Sequence, residues 1–157
     1  MKLTIIDANI FIDLTRIQML AWIFKIGFEV YTTQEIIDQL SEDQILSLKD
    51  FIESKQLIVY LLSENEFEEV VNLTPARSLE FADKSVLWLT IHLKAIAISG
   101  TGPLKQFCQS KQLEVRDLIW IFDLLIEKKL LMHDFVAQKI EQLIKMNGRL
   151  IYFITPL

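Results

Sequence analysis

The sequence predicts an α/β domain in which helices flank a central parallel sheet of four to five strands, forming a three-layer sandwich. Short β-rich apolar runs alternate along the chain with longer segments whose apolar residues recur at helical spacing. Strands that are connected through helices pair in parallel and bury both faces of their sheet. The chain has no evident linker, repeat or low-complexity segment, so we expect a single domain over residues 1–157.

The predicted strands are short runs rich in branched apolar residues. In chain order they are LTIID, FEVYT, LIVYL, AIAIS and LEVR. After the first strand, apolar residues at helical spacing predict one long helix, which we expect Gly27 to end. The residues of this apolar stripe are Ile10, Leu14, Ile17, Ala21 and Phe24.

The remaining helices are predicted between and after the later strands. They run through QEIIDQL, EDQILSLKDFIES, SENEFEEVVNL, the segment from Ser78 to about Lys94, TGPLKQFCQSK, DLIWIFDLLIEKK and HDFVAQKIEQLIKM. Asn147-Gly148 is expected to close the last helix. For the final RLIYFI, an extra strand and a segment packed on the body both stay open.

Composition excludes several classes of protein. The hydrophobic content of 52% and mean hydropathy of +0.33 supply a full core and argue against disorder. The longest apolar run, SVLWLTIHLKAIAI, is interrupted by His92 and Lys94, which argues against a membrane span. Asp7 interrupts the N-terminal apolar run before a signal-peptide core could form. We therefore expect a cytoplasmic protein that does not contact a membrane.

The single cysteine and the net charge limit the chemistry further. Cys108 is alone, which excludes an internal disulfide and a cysteine metal site, and we expect it to be a small core residue. The formal charge of −5 argues against nucleic-acid binding through global positive charge.

Two acidic residues lie next to apolar segments that we expect to be buried. Asp7 follows the first strand, and ligands of parallel sheets gather at the carboxyl ends of strands. The alternative is that Asp7 caps the next helix, although Asn9 lies closer to the expected first helical residue and could serve instead. Asp83 borders the apolar stripe of its helix, where a charge is costly unless a cation or a donor pairs with it; the alternative is an exposed position at the edge of the stripe.

Five segments, in order, carry a resemblance to a known family. They are IIDANIFIDL, YTTQEIIDQL, FADKSVLWLT, ISGTGPLKQF and EVRDLIWIFDLL. Together they resemble PIN domains over nearly the whole chain. The resemblance implies a metal-dependent ribonuclease fold, best known from toxins of toxin–antitoxin pairs, in which carboxylates at four places hold Mg²⁺ or Mn²⁺. It also implies RNA as substrate, an antitoxin-like protein as partner, and a homodimer.

The match to the four acidic places is incomplete. Asp7 corresponds to the first place, with Asn9 as its usual companion, and Asp83 corresponds to the third. Gln39 stands where the family typically has Glu, and Thr101 stands where it has Asp. Glu35, one helical turn before Gln39, and Asp117, after the fifth strand, are the acids that could substitute.

The neutral residues at these two places leave two functions open. One is a PIN-type endoribonuclease in which Asp7 and Asp83 ligate the metal, while Gln39 and Thr101 act through neutral oxygens or water. The other is a catalytically inactive PIN-like domain that binds RNA or protein. The missing charges matter because two unit charges 4 Å apart interact by roughly 4 kcal/mol at an effective dielectric constant of about 20, and a divalent ion would lose about twice that for each absent carboxylate.

Overall fold

A computed structural model describes residues 2–73, 79–100 and 102–147 of the chain. Thr101 and the RLIYFI segment lie outside the described residues, so the expectations about them stay untested. The strands are β1 Leu3–Ile6, β2 Glu29–Thr33, β3 Leu57–Tyr60, β4 Ile96–Ile98 and β5 Val115–Arg116. The helices are α1 Ala8–Arg16, α2 Leu20–Ile23, α3 Gln34–Asp38, α4 Glu42–Glu53, α5 Glu64–Val71, α6 Phe81–Leu93, α7 Gly102–Ser110, α8 Leu118–Glu127 and α9 His133–Asn147.

The five strands form one parallel sheet in the order β3-β2-β1-β4-β5, which confirms the predicted fold class. The chain builds the sheet outward from β1 in one direction, through β2 and β3, and then in the other, through β4 and β5. The change of direction lies between β1 and β4, and in open parallel sheets such a switch point opens a crevice at the carboxyl edge. Asp7 follows β1 at this point.

The core fills the space between the sheet and the helices on both of its faces. Ile5 and Ile6 of β1 are fully buried, and α6 presents a nearly continuous buried surface that includes Val86, Leu87 and Leu89. Cys108 is fully buried, as expected, and burial raises the pKa of its thiol to about 11. Of the helices in the described part of the chain, none combines the length and the apolar character that a membrane span needs.

The long helix expected after β1 was wrong in its extent. The chain leaves α1 at Arg16 and starts again at Leu20, because Gln18 adopts a left-handed φ of 59°. The Met19 N–H then donates to the Leu14 carbonyl over 2.8 Å, a bond typical of a helix C-terminus. This turn buries the side chains of both Ile17 and Met19, which a continuous helix would place on different faces.

The helix expected from Ser78 begins later than predicted, at Phe81, with Glu80 as its N-cap residue. Residues 74–78 are outside the described part. This start matters for the site because it brings Glu80 and Asp83 into the first turn of one helix.

Candidate metal centre

Asp7 is the most buried carboxylate at the carboxyl edge of the sheet, with 2% of its surface exposed. The register pairs Ile6 of β1 with Ile98 of β4, so the next residues, Asp7 and Ser99, emerge side by side at the switch point. The Ser99 hydroxyl lies 2.8 Å from Asp7 Oδ2, and the Ala8 N–H donates to Oδ1 over 2.7 Å. Burial raises the pKa of Asp7 above its ordinary value, although both hydrogen bonds favour the carboxylate.

Asp7 also caps α1, which confirms the alternative that the sequence left open, and the capping hydrogen bond uses only Oδ1. The helix begins at Ala8, and Asp7 has the extended backbone of an N-cap residue, with φ −82° and ψ 159°. Asn9 lies inside the first turn of α1, and the expectation that it could serve as the cap was wrong. Sequence inspection placed the helix start too late because the apolar stripe becomes visible only at Ile10.

Asp83 is half-buried in the first turn of α6, and its pKa is raised to about 6. Burial is the largest cause, followed by the negative charge of Asp7 and then by that of Glu80. A hydrogen bond from the Glu80 backbone N–H opposes them. The carboxylates of Asp7 and Asp83, 76 positions apart in the sequence, are thus close enough to repel each other.

Glu80 is an acidic residue beside the candidate site that the sequence reasoning did not single out. Its Oε2 accepts a hydrogen bond from Gln39 Nε2 over 3.1 Å, which joins the end of α3 to the start of α6. Gln39 therefore presents a neutral amide to a carboxylate. The signal that could have identified Glu80 was its spacing of three residues before Asp83, which puts both on one side of a helix start.

A buried polar contact holds α3 and α6 in this relation. The hydroxyls of Thr33 and Ser85 lie 2.7 Å apart, and Thr33 also caps α3 by accepting from the Ile36 N–H over 3.2 Å. Glu35 lies on α3 between the two cross-helix contacts made by Thr33 and Gln39. Its Oε1 atom is buried and has no hydrogen-bond partner, an arrangement that favours the approach of a cation or a bound water.

Asp117 follows β5 at the carboxyl edge of the sheet, as predicted. Its two carboxylate oxygens bind neighbouring protein groups there. Oδ1 caps α8 by accepting from the Trp120 N–H over 3.1 Å, and Oδ2 lies 3.7 Å from Lys105 Nζ. The structure thus gives Asp117 a capping role and an ion pair.

The acidic residues around the switch point suit a cation in charge and in chemistry. Within the described ranges, no lysine or arginine forms an ion pair with Asp7, Asp83 or Glu80. Carboxylate oxygens are the ligands that Mg²⁺ and Mn²⁺ prefer. However, in the described part of the chain no three His, Cys, Asp or Glu side chains form a group that could hold a metal ion. Asp7 and Asp83 are the carboxylates that could bind a metal here, and neutral oxygens and water would have to complete its coordination.

Comparison with known proteins agrees with the fold. A sequence model described as a PIN domain matches residues 3–152, which is nearly the full chain. No curated protein matches the chain.

Proposed function

Because this chain belongs to the PIN-domain family, which has a nuclease-like fold and generally uses divalent metals, we propose that it is a Mg²⁺- or Mn²⁺-dependent endoribonuclease with a weakened acidic site. Asp7 and Asp83 hold the metal, and RNA phosphodiester bonds are the substrate. The proposal rests on the proximity of Asp7, buried at the switch point of the sheet, to half-buried Asp83 at the start of α6, which is close enough for the charge of Asp7 to raise the pKa of Asp83.

Glu80 supports this proposal because it can replace the charge that is missing at position 39. A carboxylate at position 39 would stand beside Glu80, and two like charges at hydrogen-bond distance repel each other. The amide of Gln39 instead orients the Glu80 carboxylate. In this proposal Glu80 adds negative potential near the two ligands without binding the metal, and its charge, together with that of Asp7, raises the pKa of Asp83.

The chain's own residues have distinct tasks in this site. Ser99 and the Ala8 N–H fix both oxygens of Asp7, so this carboxylate keeps one orientation at the end of β1. Asp83 is the less constrained ligand, and the Thr33–Ser85 contact keeps its helix against β2 and α3. A bound divalent ion would activate water and offset the charge that develops on the phosphate. No covalent enzyme intermediate is required.

The direct test is cleavage of RNA with Mn²⁺ by the wild-type protein and by Asp7→Ala. We expect Mn²⁺-stimulated cleavage that falls by at least about 100-fold in the variant, because metal-assisted hydrolysis depends on a correctly held ion. Asp117→Asn is the matched control, since it neutralises another acid at the same edge of the sheet. Equal cleavage by wild-type and Asp7→Ala protein would refute the nuclease assignment.

A second function is favoured by one observation, the absence of a three-ligand metal group among the described residues. In this alternative the chain is a catalytically inactive PIN-like domain that binds RNA or protein. Calorimetry with Mn²⁺ separates the two functions. Binding with a Kd of about 10 μM or tighter that is lost in Asp83→Asn supports the nuclease, whereas no detectable binding supports the inactive domain.

The resemblance to toxins also supports a proposal about the localisation, oligomeric state and protein partner of this chain. We propose a cytoplasmic homodimer that pairs with an antitoxin-like protein, in keeping with PIN domains, which generally bind RNA and often pair with antitoxins. Light scattering on the purified protein tests the dimer. A monomeric mass at all concentrations would exclude it.

A further inference from the structure

Helix α5 packs one face on the protein, and among the described residues its other face contacts only Phe81, through Phe67. Val70 is fully buried, the Trp88 indole N–H donates to Glu69 over 2.9 Å, and the Tyr60 hydroxyl donates to Glu66 over 2.7 Å. These contacts hold α5 against α6 and the end of β3. In the described part of the chain, the opposite side of the helix is largely exposed.

The residues of this opposite side are Glu64, Phe67, Glu68 and Val71, which we call the α5 outer face. Their spacing of three, four and seven residues from Glu64 puts them on one side of the helix. Phe67 is 48% exposed and Val71 is 49% exposed. These two neighbouring side chains give the face a small apolar surface.

A depression of about 370 Å³ lies at the start of this face. It is lined by Leu62, Ser63, Glu64, Phe67 and Glu68. Phe67 forms one wall, and its ring is fixed by the Phe81 ring, with 4.5 Å between the centroids. The depression therefore combines an apolar wall with two carboxylates at its rim, and it has room for an aliphatic side chain.

The negative charge of the α5 outer face favours a positively charged partner. The helix has four glutamates and no lysine or arginine. Neither Glu64 nor Glu68 forms an ion pair with any described lysine or arginine. Such a face repels phosphates, which argues against RNA, and the net charge of −5 makes a second copy of the chain a poor electrostatic match. It suits a partner with apolar and cationic side chains on one surface.

We propose that the α5 outer face docks a cationic amphipathic helix of a partner protein. An aliphatic side chain of the partner enters the depression beside Phe67, and its lysines or arginines meet Glu64 and Glu68. Helix-in-groove recognition uses this pattern of apolar anchors one turn apart. The docking site does not depend on metal binding or on catalysis.

The test is fluorescence anisotropy with the full chain and a labelled synthetic peptide of about 18 residues, five helical turns, with leucines along one face and lysines flanking the leucines on the same side of the helix. The double variant Glu64→Lys/Glu68→Lys should raise the peptide Kd by at least about tenfold, because it reverses the charge at the rim. Asp123→Lys/Glu127→Lys is the matched control: these residues are also exposed and four apart, on α8, and the Kd should change by less than about twofold. Val71→Ser should raise the Kd about fivefold through loss of apolar contact.

A scrambled peptide tests whether binding requires an amphipathic helix. A peptide of the same composition with the leucines scrambled should bind at least about tenfold more weakly, since it offers no continuous apolar face. Equal loss of binding in both double variants, equal binding of the scrambled peptide, or no binding to the wild-type protein would overturn the proposal. So would sedimentation that detects self-association of the wild-type chain which Val71→Ser abolishes, because the occupant of the face would then be a second copy.

Discussion

Replacing Asp83 by asparagine should stabilise the metal-free protein at neutral pH, although it removes a proposed metal ligand. The pKa of Asp83 is raised from 3.8 to about 6, by burial first and then by the charges of Asp7 and Glu80. In the folded state at pH 7 the ionised carboxylate is therefore held in an unfavourable environment. Asparagine has nearly the same shape and can still accept the hydrogen bond from the Glu80 N–H.

The magnitude follows from the difference between the two pKa values. One pKa unit corresponds to about 1.4 kcal/mol, so the raised pKa corresponds to at most about 3 kcal/mol. Asp83 is only half-buried, and solvent screening reduces this to about 1.5 kcal/mol. Loss of a negative charge at the start of α6 costs about 0.5 kcal/mol. We expect a net gain of about 1 kcal/mol, or about 3 °C in Tm for a domain of this size.

The pH dependence has a definite sign. Between pH 3.8 and about 6 the folded protein keeps a proton on Asp83 that the unfolded chain has already released. The free energy of unfolding of the wild-type protein therefore falls as the pH rises through this range. Asp83→Asn has no carboxyl group to titrate at this position, so its free energy of unfolding does not fall for this reason. The difference in free energy of unfolding between the variant and the wild type should therefore be small at about pH 4 and reach its full value at about pH 7.5.

Urea denaturation at these two pH values, without divalent metal, measures the effect. Asp123→Asn is the control because it removes an exposed charge from α8, and it should leave stability nearly unchanged. Added Mn²⁺ should stabilise the wild-type protein and not Asp83→Asn, by mass action on the folded state. The electrostatic reasoning would be refuted if Asp83→Asn were less stable than the wild type at about pH 7.5. It would also be refuted if the stability gain of the variant at about pH 4 were as large as at about pH 7.5.

Three further predictions concern neighbouring residues. Ser99→Ala should lower the free energy of unfolding by about 1–2 kcal/mol and weaken Mn²⁺ binding, because buried Asp7 loses a donor; denaturation and calorimetry measure the two effects. Gln39→Glu should destabilise the metal-free protein by about 1 kcal/mol, since the added charge faces Glu80, and should strengthen Mn²⁺ binding several-fold by calorimetry. Asp117→Ala should cost about 1 kcal/mol in thermal denaturation through loss of the α8 cap, with RNA cleavage unchanged.

The fold was largely predictable because its signals are local. Five short apolar runs separated by helical periods predict a parallel sheet, and all five strands lie where the sequence predicts them. The break between α1 and α2 was not predictable in this way. A left-handed φ at Gln18 is not a preference of glutamine, and it is stabilised by the burial of Ile17 and Met19 beyond the helix.

The candidate site was predictable only in part. Asp7 could be predicted as a candidate residue because an apolar strand is followed directly by a charged side chain. Ser99 follows only once β1 and β4 are known to be neighbours, because their register then aligns the two side chains. Glu80 depends on where α6 begins, and the helical period alone placed that start too early.

The sequence by itself determined the strands, most of the helices, and the presence of a carboxylate at the end of the first strand. Backbone periodicity, capping and turns depend on residues a few positions apart, so the sequence displays them directly. Only the tertiary structure decided that Gln39 meets Glu80 across 41 positions and that Asp7 meets Ser99 across 92. Such contacts depend on how whole elements pack against each other, and the sheet order and the α3–α6 packing that bring these side chains together are properties of the assembled domain.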